Sequence, residues 1–360
     1  MTTGWASPCC SASLRGGLKS CTVLAALAAL LGACGVPTQS GGAANPASGT
    51  ASPNTKALPD PKVQPGTSAK GMRVMATFLP MTLLTRAVAG DCAVVTTLVP
   101  PNLGPHDFQA NPGDLVALRR SRVLVKNGLG MEGFLDKMIQ AADHPQLLVI
   151  DASRGVPLLE APQKVPGQAD AKGHDDDHGH DHGHDHGPVN PHVWLDPQRA
   201  AQQVATIRDG LIQADPGCAE GYRQRAAATT AQLRQLDSAI ARQLQPYRGK
   251  TFVAFHDVAP YFAQRYGLKA EFLVDVPEMN PTPADLQRVA AQVKRSDLKA
   301  LLSEPQEGQR SFNALAQDLG VRISLFDPME TGSAEAAQDP NTYVRVMRRN
   351  VDNLVRAFGG

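Results

Sequence analysis

Short apolar, strand-like runs recur along this 360-residue chain in two sets of four, with helical patterns between them. The first set is Arg73–Phe78, Val94–Val99, Arg122–Lys126 and Leu147–Asp151. The second is Thr251–His256, Lys269–Val274, Lys299–Glu304 and Arg322–Asp327. Strands alternating with helices form parallel βαβ units, because a parallel neighbour requires a crossover long enough to hold a helix. Two of the intervening helices announce their starts. Asn111-Pro112-Gly113-Asp114-Leu115 leads into Leu118 and Arg119. Thr282-Pro283-Ala284-Asp285 offers a cap, a proline at the first helical position and an acid in the first turn, and Leu286, Val289, Ala290 and Val293 follow at helical spacing.

Between the two sets, residues 198–246 read as helical. Val204, Ile207 and Leu211 share a face, Pro216-Gly217 interrupts, and Tyr222, Ala226, Leu233, Leu236, Ile240 and Leu244 keep the period afterwards. The later stretch of about 28 residues would exceed 40 Å at 1.5 Å per residue, which suits a strut. The expected fold is α/β: two Rossmann-like lobes, at 71–197 and 249–360, each with a mostly parallel four-stranded sheet, joined by one long helix within 198–248.

The N-terminus reads as a targeting segment. Arg15 and Lys19 precede the apolar stretch Cys21–Leu31, which is too short for a membrane span of about 20 residues but fits a secretory core. It ends in Leu31-Gly32-Ala33-Cys34, which resembles the lipobox of bacterial lipoproteins, where the cysteine is acylated after cleavage. Residues 1–33 are then a signal peptide, Cys34 the lipidation site, and the Gly-, Ala-, Pro-, Ser- and Thr-rich stretch to residue 70 a flexible tether to the membrane. Cys92 and Cys218 would remain in an oxidising compartment, either paired or as two buried thiols. A net charge of +1 and 5% aromatic residues supply neither the basic face nor the stacking surface that nucleic acid needs.

Six of the ten histidines (His174, His178, His180, His182, His184 and His186) fall in one Gly/Asp-rich tract within 172–187, read as a disordered surface loop that binds divalent metal weakly. His144 reads as a surface or capping residue. His106, His192 and His256 each stand beside a structured element. His256, Glu304 and Asp327 end strands of the second set, and His106 follows Val94–Val99 through a Pro/Gly loop. Ligands of open parallel sheets bind outside the carboxyl ends of the strands. These residues therefore converge on one crevice between the lobes, which His192 enters from the segment before the strut. His-Glu-x-x-His, the helix motif of zinc hydrolases, is absent, so an enzyme is not expected.

Five segments in this order resemble the metal-binding lipoproteins of bacterial ABC importers, in the zinc/manganese cluster of solute-binding proteins. They are Pro105–Asp114, Asn190-Pro191-His192-Val193-Trp194-Leu195-Asp196-Pro197, Phe255-His256-Asp257, Ser303-Glu304-Pro305-Gln306 and Phe326-Asp327-Pro328. The resemblance spans residues 71–360. It implies a periplasmic or cell-surface monomer that captures Zn²⁺ for a permease with its ATPase, with His106, His192 and His256 as ligands. Manganese-type relatives tend to carry Glu at the third position, so His256 indicates zinc, in keeping with the preference of imidazole nitrogen for borderline ions. Alternatives are a manganese or iron carrier on the same fold and a zinc buffer or adhesin without a transporter. Some zinc members have an acid before the first histidine, where this chain has Pro105. The fourth position thus falls to Asp327 or a water, with Asp327 preferred. Glu304 is expected to orient a ligand imidazole through its other ring nitrogen. Neutral imidazoles are required, so affinity should fall below about pH 6.5.

Overall fold

Both sheets expected from the sequence form, and all their strand pairings are parallel. The computed structural model describes residues 71–159, 189–277, 279–296, 298–305 and 310–359. The signal peptide, Cys34, the tether and the histidines of the 172–187 tract lie outside the described residues.

The first sheet contains β1 (Met72–Ala76), β2 (Ala93–Thr97), β3 (Val123–Lys126) and β4 (Leu148–Asp151), in the order β2-β1-β3-β4. The second contains β5 (Thr251–His256), β6 (Lys269–Val274), β7 (Ala300–Ser303) and β8 (Arg322–Leu325), in the equivalent order β6-β5-β7-β8. Every residue of β5 is buried, as expected of an inner strand covered on both faces.

Helices α1 (Leu79–Ala89), α2 (Pro112–Arg119) and α3 (Leu135–Ala142) accompany the first sheet. Helices α6 (Pro260–Tyr266), α7 (Pro283–Ser296), α8 (Arg310–Leu319), α9 (Ala334–Gln338) and α10 (Thr342–Ala357) follow β5 onward. The two predicted starts are capped as their chemistry dictates. Asn111 Oδ1 accepts from Gly113 N at 2.8 Å while Asp114 accepts from Asn111 N at 2.9 Å. Thr282 Oγ1 accepts from Asp285 N at 3.2 Å and Asp285 accepts in return from Thr282 N at 3.0 Å.

Helices α4 (Pro197–Ala214) and α5 (Ala219–Leu244) lie between the two sets and pack on each other. Helix α4 also packs on β3, β4 and α1. It approaches β4 so closely that a Cβ at Gly210 would come within 2.3 Å of the Ile150 side chain. The 26 residues of α5 span about 39 Å. They touch α1 and α4 on the side of the first sheet and α6 and α10 on the side of the second. The buried residues of α5 include the predicted series Tyr222, Ala226, Leu233, Leu236, Ile240 and Leu244. Asp237, also buried there, accepts from Arg265 and Tyr266 of α6 and from Gln198 of α4, so one carboxylate ties three helices.

Cys92 and Cys218 form a disulfide with a Cα–Cα separation of 6.1 Å, which resolves the alternative left by the sequence. It joins the entry to β2 with the entry to α5 across 126 residues of chain. Closing a loop of that length removes about 5 kcal/mol of unfolded-state entropy on the chain-entropy account.

Candidate metal centre

The loops at the carboxyl ends of both sheets converge on one buried group: His106, His192, His256 and Glu330, whose donor atoms all lie within 4.8 Å of one another. Each arrives by a different route. His256 is the last residue of β5, a position fixed by a fully buried strand. His192 opens the single 3₁₀ turn Val193–Leu195 that leads into α4. His106 hangs on the loop after β2, which is anchored by Phe108 packing edge-on against Phe134 at 4.8 Å. Glu330 follows β8, on a loop tied to the His106 loop by a hydrogen bond from Gly332 N to Pro101 O. Trp194 Nε1 donates to Pro328 O at 2.8 Å and Tyr343 Oη to Trp194 O at 2.6 Å, so the His192 turn is braced against the Glu330 loop.

Glu330 Oε1 is the hub. It lies 2.9 Å from His192 Nε2, 3.5 Å from His256 Nε2 and 3.7 Å from His106 Nε2. His192 and His256 are fully buried, Glu330 is 1% exposed and His106 is 8% exposed, so any ion admitted here leaves water almost completely. Three imidazole nitrogens and one carboxylate oxygen match a tetrahedral site for a borderline divalent ion.

The other ring nitrogens are held by two different groups. His256 Nδ1 lies 2.5 Å from Glu304 Oε2, whose other oxygen accepts from His256 N at 3.1 Å. His192 Nδ1 lies 3.0 Å from Asn190 Oδ1. The orientation of that amide is fixed, because Asn190 Nδ2 faces the backbone carbonyl of Asp257 at 2.7 Å, which can only accept. Asn190 Oδ1 must therefore accept from His192 Nδ1–H, and the lone pair of Nε2 is left facing Glu330. In a neutral His192 two acceptor atoms thus meet at 2.9 Å, an arrangement that a cation between them relieves. Tyr261 Oη closes the frame by donating to Asn190 O at 2.7 Å and accepting from Leu159 N at 3.1 Å.

Protonation follows the same geometry. Burial, with smaller contributions from the neighbouring imidazoles, depresses His192 to about 4 despite Glu330. Burial is also the largest single influence on His256 and opposes its charge, but Glu304 and Glu330 together outweigh it and hold its pKa well above the ordinary value. Burial would raise Glu330, yet the charge at His256 and the other imidazoles set against its carboxylate bring it well below the carboxylate range. Burial raises Glu304. His256 is thus the imidazole whose charge the surroundings favour, between Glu304 Oε2 at 2.5 Å and Glu330 Oε1 at 3.5 Å.

Of the residues singled out in the sequence, the structure brings His106, His192 and His256 together and sets Glu304 against His256. Asp327 is not in the group. Its carboxylate accepts from Met329 N at 2.8 Å and from Arg349 at 2.8 Å, while its backbone pairs on both sides with the Asn350 side chain. Asp327 lies two residues beyond the end of β8, where it shapes the turn that carries Met329 at φ 64° and aims Glu330 inward. Glu330 and Asn190 went unassigned in the sequence. The rule that ligands hang from loops after parallel strands would have reached Glu330 had it been carried past Pro328. Asn190 stands in the same segment as His192, two residues before it.

The chain is similar to known proteins. The family described as "Zinc-uptake complex component A periplasmic" (ZnuA) matches residues 74–357. The zinc-binding lipoprotein AdcA of Streptococcus pneumoniae is 30% identical over 286 residues, which cover 79% of this chain but 55% of that protein. The chain thus spans about half the length of that relative. The high-affinity zinc uptake system protein ZnuA of Bacillus subtilis is 27% identical over 284 residues, covering 79% of this chain and 86% of that one. Among solved structures, the Zn(II)-bound ZnuA-like domain of S. pneumoniae AdcA is similar with a TM-score of 0.64 and 27% identity, covering 80% of this chain and 98% of that domain.

Proposed function

Since the chain belongs to the ZnuA family of periplasmic zinc-uptake components, we propose that it captures Zn²⁺ outside the cytoplasm and delivers it to an ABC transporter permease with its ATPase. His106, His192, His256 and Glu330 are the ligands in this reading, with Glu330 replacing the Asp327 expected from the sequence. The observation that carries it is the convergence of three imidazoles and one carboxylate, all buried, within 4.8 Å. Relatives named for zinc binding and zinc uptake support the choice of ion.

Capture exchanges the proton on His256 for the ion, and neutral His192 is already poised to accept it. Asn190 and Glu304 hold the two imidazoles in the tautomer that presents Nε2. Release to the permease proceeds by movement of the loops bearing His106 and Glu330. Those residues hang beyond strand ends and are linked to each other, whereas His256 is fixed in β5. Cys34 carries the lipid anchor, the mature chain works as a monomer, and the 172–187 histidines gather ions for the buried site.

Competition titration of the mature chain against chelators of graded strength tests the proposal. One tight Zn²⁺ site per chain is expected, with Mn²⁺ bound far more weakly, and a variant lacking residues 172–187 should keep that site while losing weaker ones. Loss of tight binding with the loop would move the ligands into it and refute the assignment. Tighter binding of Mn²⁺ than of Zn²⁺ would shift the function to manganese.

A further inference from the structure

At the end of the second sheet remote from the metal centre, every strand enters with a basic residue. Lys269 and Arg322 are the first residues of β6 and β8, and Lys250 and Lys299 immediately precede β5 and β7. Sheet register sets them side by side, with Lys269 N donating to Lys250 O and Arg322 N to Lys299 O, each at 3.0 Å. In the order β6-β5-β7-β8 they make one row, three strand spacings or about 14 Å long. All four side chains are exposed.

One end of the row opens into a depression of about 540 Å³ lined by Arg248, Lys250, Lys269 and Arg295, with Gly249, Thr251, Gln292 and Ser296. Among the described residues no carboxylate lines it. Nor, among them, does any of its four cations form an ion pair, and Arg295 donates instead to Gln292 Oε1 at 2.6 Å. A basic residue at a helix C-terminus complements the helix dipole, and that accounts for Arg295 at the end of α7. Lys250 and Lys269 each lie three residues beyond the last helical residue before them, Tyr247 and Tyr266, past the last turn within which that effect acts.

We infer that this end of the second sheet is a docking surface for anionic phospholipid headgroups. Two features favour a surface over a small soluble anion. The row is several times longer than one phosphate group. Its cations are also exposed, with no buried donor to fix a single ion, and an extended array of headgroup phosphates needs no such donor. The chemistry is that of a basic cluster on an anionic membrane, where each Lys or Arg near the surface contributes about a fivefold gain in partitioning. The metal centre lies at the opposite end of β5, about 16 Å along the strand. A chain docked by its basic end holds that centre away from the bilayer, so docking is a parked orientation for capture and delivery requires the chain to leave it.

Co-sedimentation of the mature full chain with vesicles tests this, using Cys34→Ser so that no acyl group contributes. Vesicles of phosphatidylcholine with about 40% phosphatidylglycerol should bind the chain at low salt, and pure phosphatidylcholine should not. The double variant Lys250→Gln/Lys269→Gln should bind the anionic vesicles roughly 25-fold more weakly, two fivefold losses, while its Zn²⁺ titration is unchanged. Equal binding to both vesicle types, or an undiminished double variant, overturns the inference. So does absence of vesicle binding together with stabilisation by millimolar inorganic phosphate that the double variant loses, since the depression would then serve a soluble anion. Zn²⁺ affinity is read separately, so failure here leaves the proposed function standing.

Discussion

His192 Nε2 and Glu330 Oε1, 138 residues apart in sequence, lie 2.9 Å from each other at the centre of the buried group. This contact joins the segment before α4 to the loop after β8, and it brings into the group a carboxylate other than that of Asp327.

Glu330→Ala should weaken Zn²⁺ binding by about 100-fold. A structural zinc site is worth about 10–16 kcal/mol, which divided among four ligands leaves about 3 kcal/mol for each. Asp327→Asn, which keeps the size of the side chain that shapes the turn, should weaken it far less. Isothermal titration with a competing chelator ranks the two, and the reverse order would restore Asp327 as the fourth ligand.

Asn190→Ala should lower Zn²⁺ affinity by about 10- to 100-fold, the usual effect of removing a group that orients a ligand imidazole. The distinguishing readout is nitrogen-15 NMR of the metal-free chain. Wild type should show His192 as the Nδ1–H tautomer, and the variant should show a mixture. An unchanged tautomer would mean that Asn190 only braces the fold.

Zn²⁺ loading near pH 7 should release about one proton. His256 carries that proton, because its pKa is held well above the ordinary imidazole value by Glu304 and Glu330 against the opposing effect of burial. Affinity should therefore rise about tenfold per pH unit already between pH 6 and 7, rather than level off above about 6.5 as three ordinary imidazoles would. His192, at about 4, adds no further proton in that range. Calorimetric titration in two buffers of different ionisation enthalpy counts the protons, and a count of zero contradicts the assigned charge on His256.

Asp257→Asn should stabilise the metal-free chain at pH 8 and have little effect near pH 4. Burial raises the Asp257 carboxyl from 3.8 to about 6. The folded chain thus binds a proton between those values that the unfolded chain does not, so this group favours folding as pH falls and costs stability above pH 6. The full difference is about 3 kcal/mol. The side-chain amide introduced at this position can still accept from Asn190 through its oxygen. Urea unfolding at the two pH values measures the effect, and a variant equally destabilised at both would show that the carboxylate is needed for its shape alone.

Much of the scaffold was legible because burial imposes periods. The strand runs and the face of α5 follow from side chains that must reach a core, and β5 was bounded to the residue. His256 was found for that reason, as the terminus of a run, and His192 through its motif. β6 was also bounded to the residue, while the other strands expected from the sequence differ from those observed by one or two residues at an end. The run read as Arg322–Asp327 ends at Leu325, and the two extra residues made Asp327 look like a strand-end ligand. Beyond a strand, direction is set by turn geometry, here a left-handed Met329 and an aspartate that accepts from the backbone, and neither leaves a period in the sequence. The Cys92–Cys218 pairing was hidden likewise, since it depends on the end of α4 returning to the entry of β2.

The burial of α5 between helices of both sets also determines how the molecule melts. Leu233, Leu236 and Ile240 are buried in a helix that touches α1 and α4 on one side and α6 and α10 on the other. Loss of either sheet strips one flank of a helix about 39 Å long and exposes apolar surface that the other sheet cannot cover. Heat should therefore find one cooperative unit in two halves that repeat each other's strand order, which scanning calorimetry would show as a single transition.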